Sequence, residues 1–427
     1  MSASFTSIRV RPLPLLAGAA ALLLVTGHAR VASAQRAPAQ TASPSGALAE
    51  PERLYARYRK TLSHEDLAAA DAAVQAGLDA SPGDYELRKF RLRLLLPHHD
   101  FEGLKREAEA LKRERPEDAD LDGALGDAEF DLGRYPEAFA AYARFATRRR
   151  STASYSRIAL AREITGDLKG ALQSMDLAGS SALPADPEGF AWCRSRSARL
   201  LLKMNRYEEA EGRLVEALRV LPDHAPSLSV AAEIAARKGL WEPATRLAER
   251  SVALEREAGA LAALVDYRHA MGDAAGEARA KRAVADFDAR LPEDHRLVHR
   301  PLALYFADHG EPARGLAMAE RELKGRKDVY GWDAYAWTLF RAGRPPEAVE
   351  PMRRALAMGT VDPLLEFHAG EIARAAGDAA GARRHLDRAL KIDPRFHVLY
   401  AAEARQLLAG IPQPAAARVA PELAARR

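Results

Sequence analysis

Residues 330–394 read YGWDAYAWTLFRAGRPPEAVEPMRRALAMGTVDPLLEFHAGEIARAAGDAAGARRHLDRALKIDP, and the two halves of this stretch follow one pattern. The first half has small residues at Ala336, Gly343 and Ala348, and the second repeats them 34 residues later at Gly370, Gly377 and Ala382. A fixed period of this length, with small residues at set offsets, is typical of a solenoid built from helix pairs.

The same pattern extends over most of the chain and predicts ten turns between paired helices. The intervals between successive turns are 34, 34, 33, 39, 34, 33, 38, 33 and 34 residues, and seven of the ten positions are glycine. Glycine adopts the positive φ that a helix end and a tight turn require. The predicted turn positions are Glu65, His99, Gly133, Gly166, Asn205, Gly239, Gly272, Gly310, Gly343 and Gly377.

Within each predicted pair, two small residues stand twelve positions apart, as in Ala159 with Ala171 and Ala198 with Ala210. In a hairpin of two helices these positions face each other, and small side chains let the helices approach closely. Larger apolar residues at i, i+3 and i+4 then fill the seam between the helices. Three pairs depart from the pattern; for example, the second has Leu92 and Leu104 at the small positions.

These residues resemble the tetratricopeptide repeat family, whose pattern combines a Trp, Leu, Gly and Tyr run with later Ala, Phe, Ala and Pro positions. The resemblance implies an all-α fold: a right-handed solenoid of about ten antiparallel helix pairs with a C-terminal capping helix. It also implies a non-enzymatic scaffold that binds a protein or peptide partner in its concave groove. No cofactor is expected from it.

The sequence outside the repeats predicts three further regions. Residues 1–34 have the pattern of a secretory signal, with Arg9 and Arg11 before an apolar run and a small-residue cleavage site at 32–34. Residues 35–50 are predicted to be a disordered linker, residues 51–410 the solenoid, and residues 411–427 a disordered tail. Two long intervals predict loops that divide the solenoid into 51–184, 191–290 and 296–410, with a closing helix that begins at Phe396.

The signal predicts export to a bacterial periplasm or secretion, with no stable membrane insertion after cleavage; an uncleaved anchor is the alternative. The partner would then be a protein of envelope assembly or secretion. The alternative is a periplasmic scaffold for exopolysaccharide export. Without residues 1–34 the formal net charge falls from +4 to +1, since three Arg and no acid are removed. A nucleic-acid surface needs a basic excess, so this class of partner is not expected. The oligomeric state is not predicted.

The resemblance assigns the inner groove to the first helix of each pair. In repeats eight to ten this selects a mixture of aromatic and charged residues, which are types that anchor interfaces. The alternative is that the aromatic residues pack between helix pairs. The predicted partner-binding residues are Arg300, Asp333, Trp337, Phe340, Arg341, Phe367, His368, Glu371 and Arg374.

Two other sets of residues are candidate sites. Repeats three to seven have alternating charges on the inner face, which fit either an extended charged ligand or solvated side chains. These residues are Asp127, Phe130, Arg157, Arg199, Lys203, Glu233 and Asp266. A different function, a metal-dependent enzyme or metal carrier, would use His295, His299 and His309, of which the first two are spaced as metal ligands on a helix. The single cysteine, Cys193, is expected to be a packed residue.

Overall fold

The computed structural model describes residues 46–61, 63–182, 186–293 and 299–411, and in these ranges the chain contains α-helices, turns and loops but no strand. The predicted all-α fold class is therefore confirmed. None of the helices in these ranges is long and apolar enough to cross a membrane. The predicted signal at 1–34, most of the predicted linker and the tail from 412 lie outside the described residues.

Within the described ranges, twenty helices form ten consecutive pairs, the repeats, and one more helix closes the array. Partners are joined by short turns and run antiparallel. The pairs are α1 (Gly46–Thr61) and α2 (His64–Ala80), α3 (Tyr85–Leu95) and α4 (Phe101–Glu114), α5 (Asp120–Asp131) and α6 (Tyr135–Arg148), α7 (Thr152–Ile164) and α8 (Leu168–Ser180), and α9 (Pro187–Lys203) and α10 (Tyr207–Val220). They continue with α11 (Ala225–Arg237) and α12 (Trp241–Leu254), α13 (Ala258–Ala270) and α14 (Ala274–Arg290), α15 (Arg300–Asp308) and α16 (Pro312–Gly325), α17 (Val329–Arg341) and α18 (Pro345–Ala355), and α19 (Pro363–Ala375) and α20 (Ala379–Ile392), before the capping helix α21 (Tyr400–Gly410).

Nine of the ten predicted turn positions have positive φ, which confirms the period. All seven predicted glycines do, and so do His99 and Asn205, each with φ of 56°. The exception is Glu65, which lies in the first turn of α2. The predicted turn lies just before Glu65 instead. An acidic side chain such as that of Glu65 is favourable in the first turn of a helix, where the helix dipole is positive.

The small residues let the paired helices approach as predicted. Ala198 and Ala210 are both buried, and a Cβ atom on Gly126 would overlap the ring of Tyr142 in the partner helix. The second repeat forms a helix pair although Leu92 and Leu104 replace its small residues, and both side chains are buried. The larger side chains at these positions therefore pack in the apolar cluster of this repeat.

The ends of the solenoid differ from the sequence prediction. Residues 46–50 belong to α1 and not to a linker, because Leu48 is buried in an apolar cluster with Leu54 and Leu67. The closing helix begins at Tyr400 instead of Phe396, after a non-helical connection. Ile411, predicted to begin the tail, is buried. Packing also continues across both long intervals; one apolar cluster, for example, contains Val284 and Leu302.

The solenoid turns far enough for its C-terminal repeats to contact its middle repeats. The backbone N–H of Lys327 donates to the carbonyl oxygen of Asp131 at 2.7 Å. One repeat further on, the Thr360 hydroxyl donates to the carbonyl oxygen of Ile164 at 2.6 Å. A Cβ on Gly166 would lie 2.6 Å from the carbonyl oxygen of Gly359, so glycine is required here for close approach as well as for its φ.

These contacts follow a regular order: the turns inside repeats three, four and five meet the loops after repeats eight, nine and ten. Solenoid stability is ordinarily a sum over neighbouring repeats. Here a second set of contacts joins repeats that are distant in sequence. We call it the inter-turn junction.

Candidate functional site

The predicted partner-binding residues lie together in repeats eight to ten, but most of their side chains are buried. Trp337 is 1% exposed, stacks on His368 with ring centroids 4.1 Å apart, and donates its indole N–H to Asp308 at 2.9 Å. Phe367 is fully buried and stacks on Tyr400 of the capping helix at 4.8 Å. The alternative, packing between helix pairs, therefore describes these aromatic residues.

The charged members of the set pair within the chain. His368 Nδ1 lies 2.8 Å from Asp333 Oδ1, and Arg374 lies 2.9 Å from Glu371. Arg300 contacts Glu322 and Asp328, and Arg341 contacts Asp308, at 2.8 to 3.1 Å. Phe340, the last of the nine, is half-buried. Partner binding by these residues stays a prediction; Arg374 is exposed, but the buried members of the set do not offer an open surface in this conformation.

The two described histidines of the metal hypothesis do not meet. His299 precedes α15 and His309 follows it, so they flank a helix of 9 residues. A rise of 1.5 Å per residue separates them by about 15 Å. His295 lies outside the described residues, and within the described ranges no group of three His, Cys, Asp or Glu side chains is arranged to hold a metal ion. His299 and His309 are therefore too far apart to bind the same metal ion, and the hypothesis that uses both of them is wrong.

Cys193 lies in α9 and is fully buried. Burial raises the pKa of its thiol to about 12. The thiolate, which is the nucleophilic form, is therefore disfavoured. The position agrees with the predicted packing role.

The first helices of repeats one to four, together with residues of α4 and α6, line an open cavity of about 700 Å³, which we call the N-terminal groove. Its apolar lining includes Phe90, Leu121 and Phe145, whose side chains are nearly fully buried. Most charges on its walls are paired: Arg157 forms an ion pair of 2.5 Å with Asp127. The predicted alternation of charge in this region thus reflects pairs within the chain.

Two arginines of the N-terminal groove keep their charge free for a ligand. Arg93 is exposed and its guanidinium carbon lies 5.5 Å from the centre of the Phe90 ring, and Arg150 is exposed beside the start of α7. Across the described ranges neither forms an ion pair with the chain. Arg149, by contrast, is held by Asp120 at 2.5 Å. The groove therefore has an apolar floor and two available cations.

Repeats five to seven line a smaller cavity of about 230 Å³, the central groove. Its charged wall contains Arg199, Glu233, Arg237 and Asp266, and the opposite wall is the chain's own residues 396–398. Glu233 is paired with both Arg237 and Arg199. Burial raises the pKa of Glu233, but the two guanidinium groups outweigh it and hold that pKa below its ordinary value.

The connection between α20 and α21 contributes one wall of the central groove. Asp393 is fully buried and accepts hydrogen bonds from the Tyr207 hydroxyl at 2.6 Å and from Arg237 at 2.9 Å. His397 Nε2 lies 3.6 Å from Asp266. The sequence does not predict this contact, since no residue near Pro394 indicates packing against repeats almost 190 positions earlier.

Lys203, another member of the predicted inner-face set, belongs to the inter-turn junction. Its ammonium group lies 2.8 Å from Glu163, 2.9 Å from Asp362 and 2.7 Å from the Tyr330 hydroxyl. Burial disfavours the charge, but these neighbours raise the pKa of Lys203 well above its ordinary value. Its role is to hold two turns of the solenoid together.

Comparison with known proteins agrees with this architecture. The profile of the tetratricopeptide repeat family matches residues 104–155, 196–265, 300–363 and 334–395, which together make up just over half of the chain. No curated protein sequence matches the chain.

Several solved structures are similar to the chain at low sequence identity. The APC/C hetero-tetramer Cut9–Hcn1 is 12% identical, with a TM-score of 0.43 over 86% of this chain and 55% of that chain. The TPR domain of P58(IPK) is 14% identical, with a TM-score of 0.23 over 85% and 99% of the two chains. Yeast Tom70 is 8% identical, with a TM-score of 0.33 over 85% and 96%. The chain thus spans about half the length of the first of these, and on the strength of the family profile it belongs to the tetratricopeptide repeat family.

Proposed function

We propose that the chain is an exported, non-enzymatic scaffold that binds an extended segment of a partner protein in the N-terminal groove. The observation that carries the proposal is the contrast between the two grooves. Residues 396–398 of the chain itself form one wall of the central groove, whereas the N-terminal groove is open and has apolar side chains and two exposed arginines that form no ion pair within the described ranges. Export is supported by the signal pattern of residues 1–34.

The lining of the N-terminal groove indicates the chemistry of the partner. Apolar side chains of an extended peptide would pack on the half-buried Leu96 and Ala124, and its carboxylates would pair with Arg93 and Arg150. Guanidinium groups bind carboxylates with geometric specificity. A strongly basic partner would instead have to overcome the repulsion of these two arginines. The proposed ligand is therefore an extended peptide that combines apolar and acidic side chains.

A displayed library of random peptides, selected against the full chain, tests this function. We expect the selected peptides to be enriched in apolar and acidic residues. Their affinity should fall at least about tenfold in the Arg93→Ala/Arg150→Ala variant, because two charge-assisted contacts are lost. Selected peptides that bind this variant as tightly as the unmodified chain would contradict the proposed site.

The matched control is the Arg282→Ala/Arg321→Ala variant. Both residues are exposed and lie in repeats seven and eight, away from the groove. This variant removes the same amount of charge, so it corrects for nonspecific electrostatic attraction. We expect it to bind the selected peptides with the same affinity as the unmodified chain. An equal loss of affinity in both variants would show that the net charge of the chain, and not the groove, causes the loss.

A further inference from the structure

We infer that the central groove is a second peptide-binding site, and that residues 393–398 occupy it as an intramolecular ligand. We call these residues the crossing segment. They lie in the non-helical connection between α20 and α21. Their side chains contact repeats five, six and seven through Tyr207, Arg237 and Asp266. A peptide with the same sequence of side chains is the expected competitor.

The carboxylate of the crossing segment is its anchor. Asp393 receives one hydrogen bond from a phenol and one from a guanidinium, and its second oxygen accepts the backbone N–H of Arg395 at 2.8 Å. A buried carboxylate is costly unless it is paired and hydrogen-bonded. Tyr207 and Arg237 thus form a receptor for one carboxylate at one end of the central groove.

The next residues extend this recognition along the groove. The Arg395 guanidinium lies 4.1 Å from the centre of the Tyr207 ring, and Phe396 is 2% exposed beside the cavity. His397 follows, close to Asp266, and its ring stacks on Tyr400 at 4.5 Å. The central groove and the adjoining Tyr207 therefore contact, in order, an acidic, a basic, an aromatic and an imidazole side chain, and Phe396 also packs on Phe367 of the last repeat.

The contact is incomplete, which permits exchange. A cavity of about 230 Å³ remains between the crossing segment and the charged wall. Pro394 and Arg395 are exposed, and the 3.6 Å separation of His397 from Asp266 exceeds a normal hydrogen bond. Because these contacts are made by side chains, a separate peptide can supply them. Such a peptide can also fill the remaining cavity and make additional contacts there.

The chain with Asp393→Ala and His397→Ala tests the inference. The probe is a fluorescent peptide with the sequence of residues 393–400. We expect the variant to bind it at least about tenfold more tightly than the unmodified chain, since the competing contacts are removed. A probe with Asn and Ala in place of its own Asp and His should bind the variant at least about tenfold more weakly. Equal binding of the two probes, or no gain in the variant, would overturn the inference.

The matched control is the Asp387→Ala/His269→Ala variant, which removes one carboxylate and one imidazole at exposed positions outside the groove. We expect it to bind the probe like the unmodified chain. Circular dichroism of all proteins measures whether helical content is retained.

A second measurement uses the unmodified chain and does not depend on the folding of a variant. Hydrogen exchange at residues 395–400 should become faster as the probe is added, because the probe displaces the crossing segment. Unchanged exchange at saturating probe would overturn the inference. Because the probe also contains apolar and acidic residues, the measurements are repeated with Arg93→Ala/Arg150→Ala added to each protein, where the gain from Asp393→Ala/His397→Ala should persist. A failure of the proposal for the central groove can thus be distinguished from a failure of the proposal for the N-terminal groove.

Discussion

The Tyr207 hydroxyl donates a 2.6 Å hydrogen bond to Asp393, which lies 186 positions later in the chain. The bond joins the second helix of repeat five to the end of repeat ten. Because the Asp393 carboxylate is fully buried, it depends on this donor and on Arg237 in place of water. A solenoid stabilised only by neighbouring repeats would have no such dependence.

Replacing Tyr207 with Phe tests the strength of that bond. The ring and its contact with Arg395 remain, so the change removes the donor alone. We expect the free energy of unfolding in urea to fall by about 2 kcal/mol, which is typical of a hydrogen bond to a charged group. Tyr155→Phe is the control, since the Tyr155 hydroxyl makes no hydrogen bond within the described part of the chain. Equal stability of the two variants would show that the Tyr207 bond contributes little.

Lys203 is the second point at which the superhelical turns depend on one side chain. Burial raises the pKa values of Glu163 and Asp362, but Lys203, together with Arg196 beside Glu163, outweighs burial and holds both pKa values below their ordinary values. Lys203→Met leaves two buried carboxylates without this cation. We expect the free energy of unfolding to fall by about 3 kcal/mol at neutral pH.

The pH dependence of that loss provides an internal check. Carboxyl groups with depressed pKa values stabilise the fold above their unfolded pKa of about 4, and the stabilisation is lost as pH falls through the folded value. The difference between Lys203→Met and the unmodified chain should therefore shrink in acid. Lys169→Met, at an exposed position in α8, should not change stability at either pH. A loss that persists unchanged in acid would exclude the carboxylates as its cause.

The helix pairs could be predicted because each depends on residues that are close in the chain. Gly343 and Ala348, for example, mark a turn and a close approach within one repeat. The inter-turn junction could not be predicted, since Lys203 and Asp362 are ordinary charged residues whose meeting depends on the curvature of six repeats. For the same reason the burial of Trp337 could not be predicted. Its residue type and its position in the repeat fit an exposed groove, but the capping helix covers it.

Asp131 makes the inter-turn junction sensitive to pH in the opposite direction. Burial raises the pKa of its carboxyl to about 7, with Asp328 adding to the shift and Arg326 opposing it. A raised pKa means that the folded chain binds this proton more tightly than the unfolded chain. The contribution is therefore complete below about pH 4 and is lost as pH rises through about 7.

Asp131→Asn removes this titration. The variant should gain stability relative to the unmodified chain by up to about 1.4 kcal/mol for each pH unit between about 4 and 7. Urea unfolding of both proteins at several pH values measures the difference. Parallel stability curves would mean that Arg326, which lies 2.9 Å from the Asp131 carboxylate, keeps it ionised throughout.

Two glycines inside helices should respond to alanine with opposite signs. A Cβ on Gly315 would lie 2.5 Å from the carbonyl oxygen of Ala303 and 2.9 Å from the nitrogen of Ala307, so α15 and α16 would have to separate. Backbone atoms cannot turn aside as a side chain can, and we expect Gly315→Ala to cost about 2 kcal/mol. A Cβ on Gly212 meets nothing within 4 Å, so Gly212→Ala should stabilise α10 by about 0.5–1 kcal/mol. Thermal unfolding of both variants measures the two effects, and a stabilised Gly315→Ala variant would show that the two helices can move apart without loss.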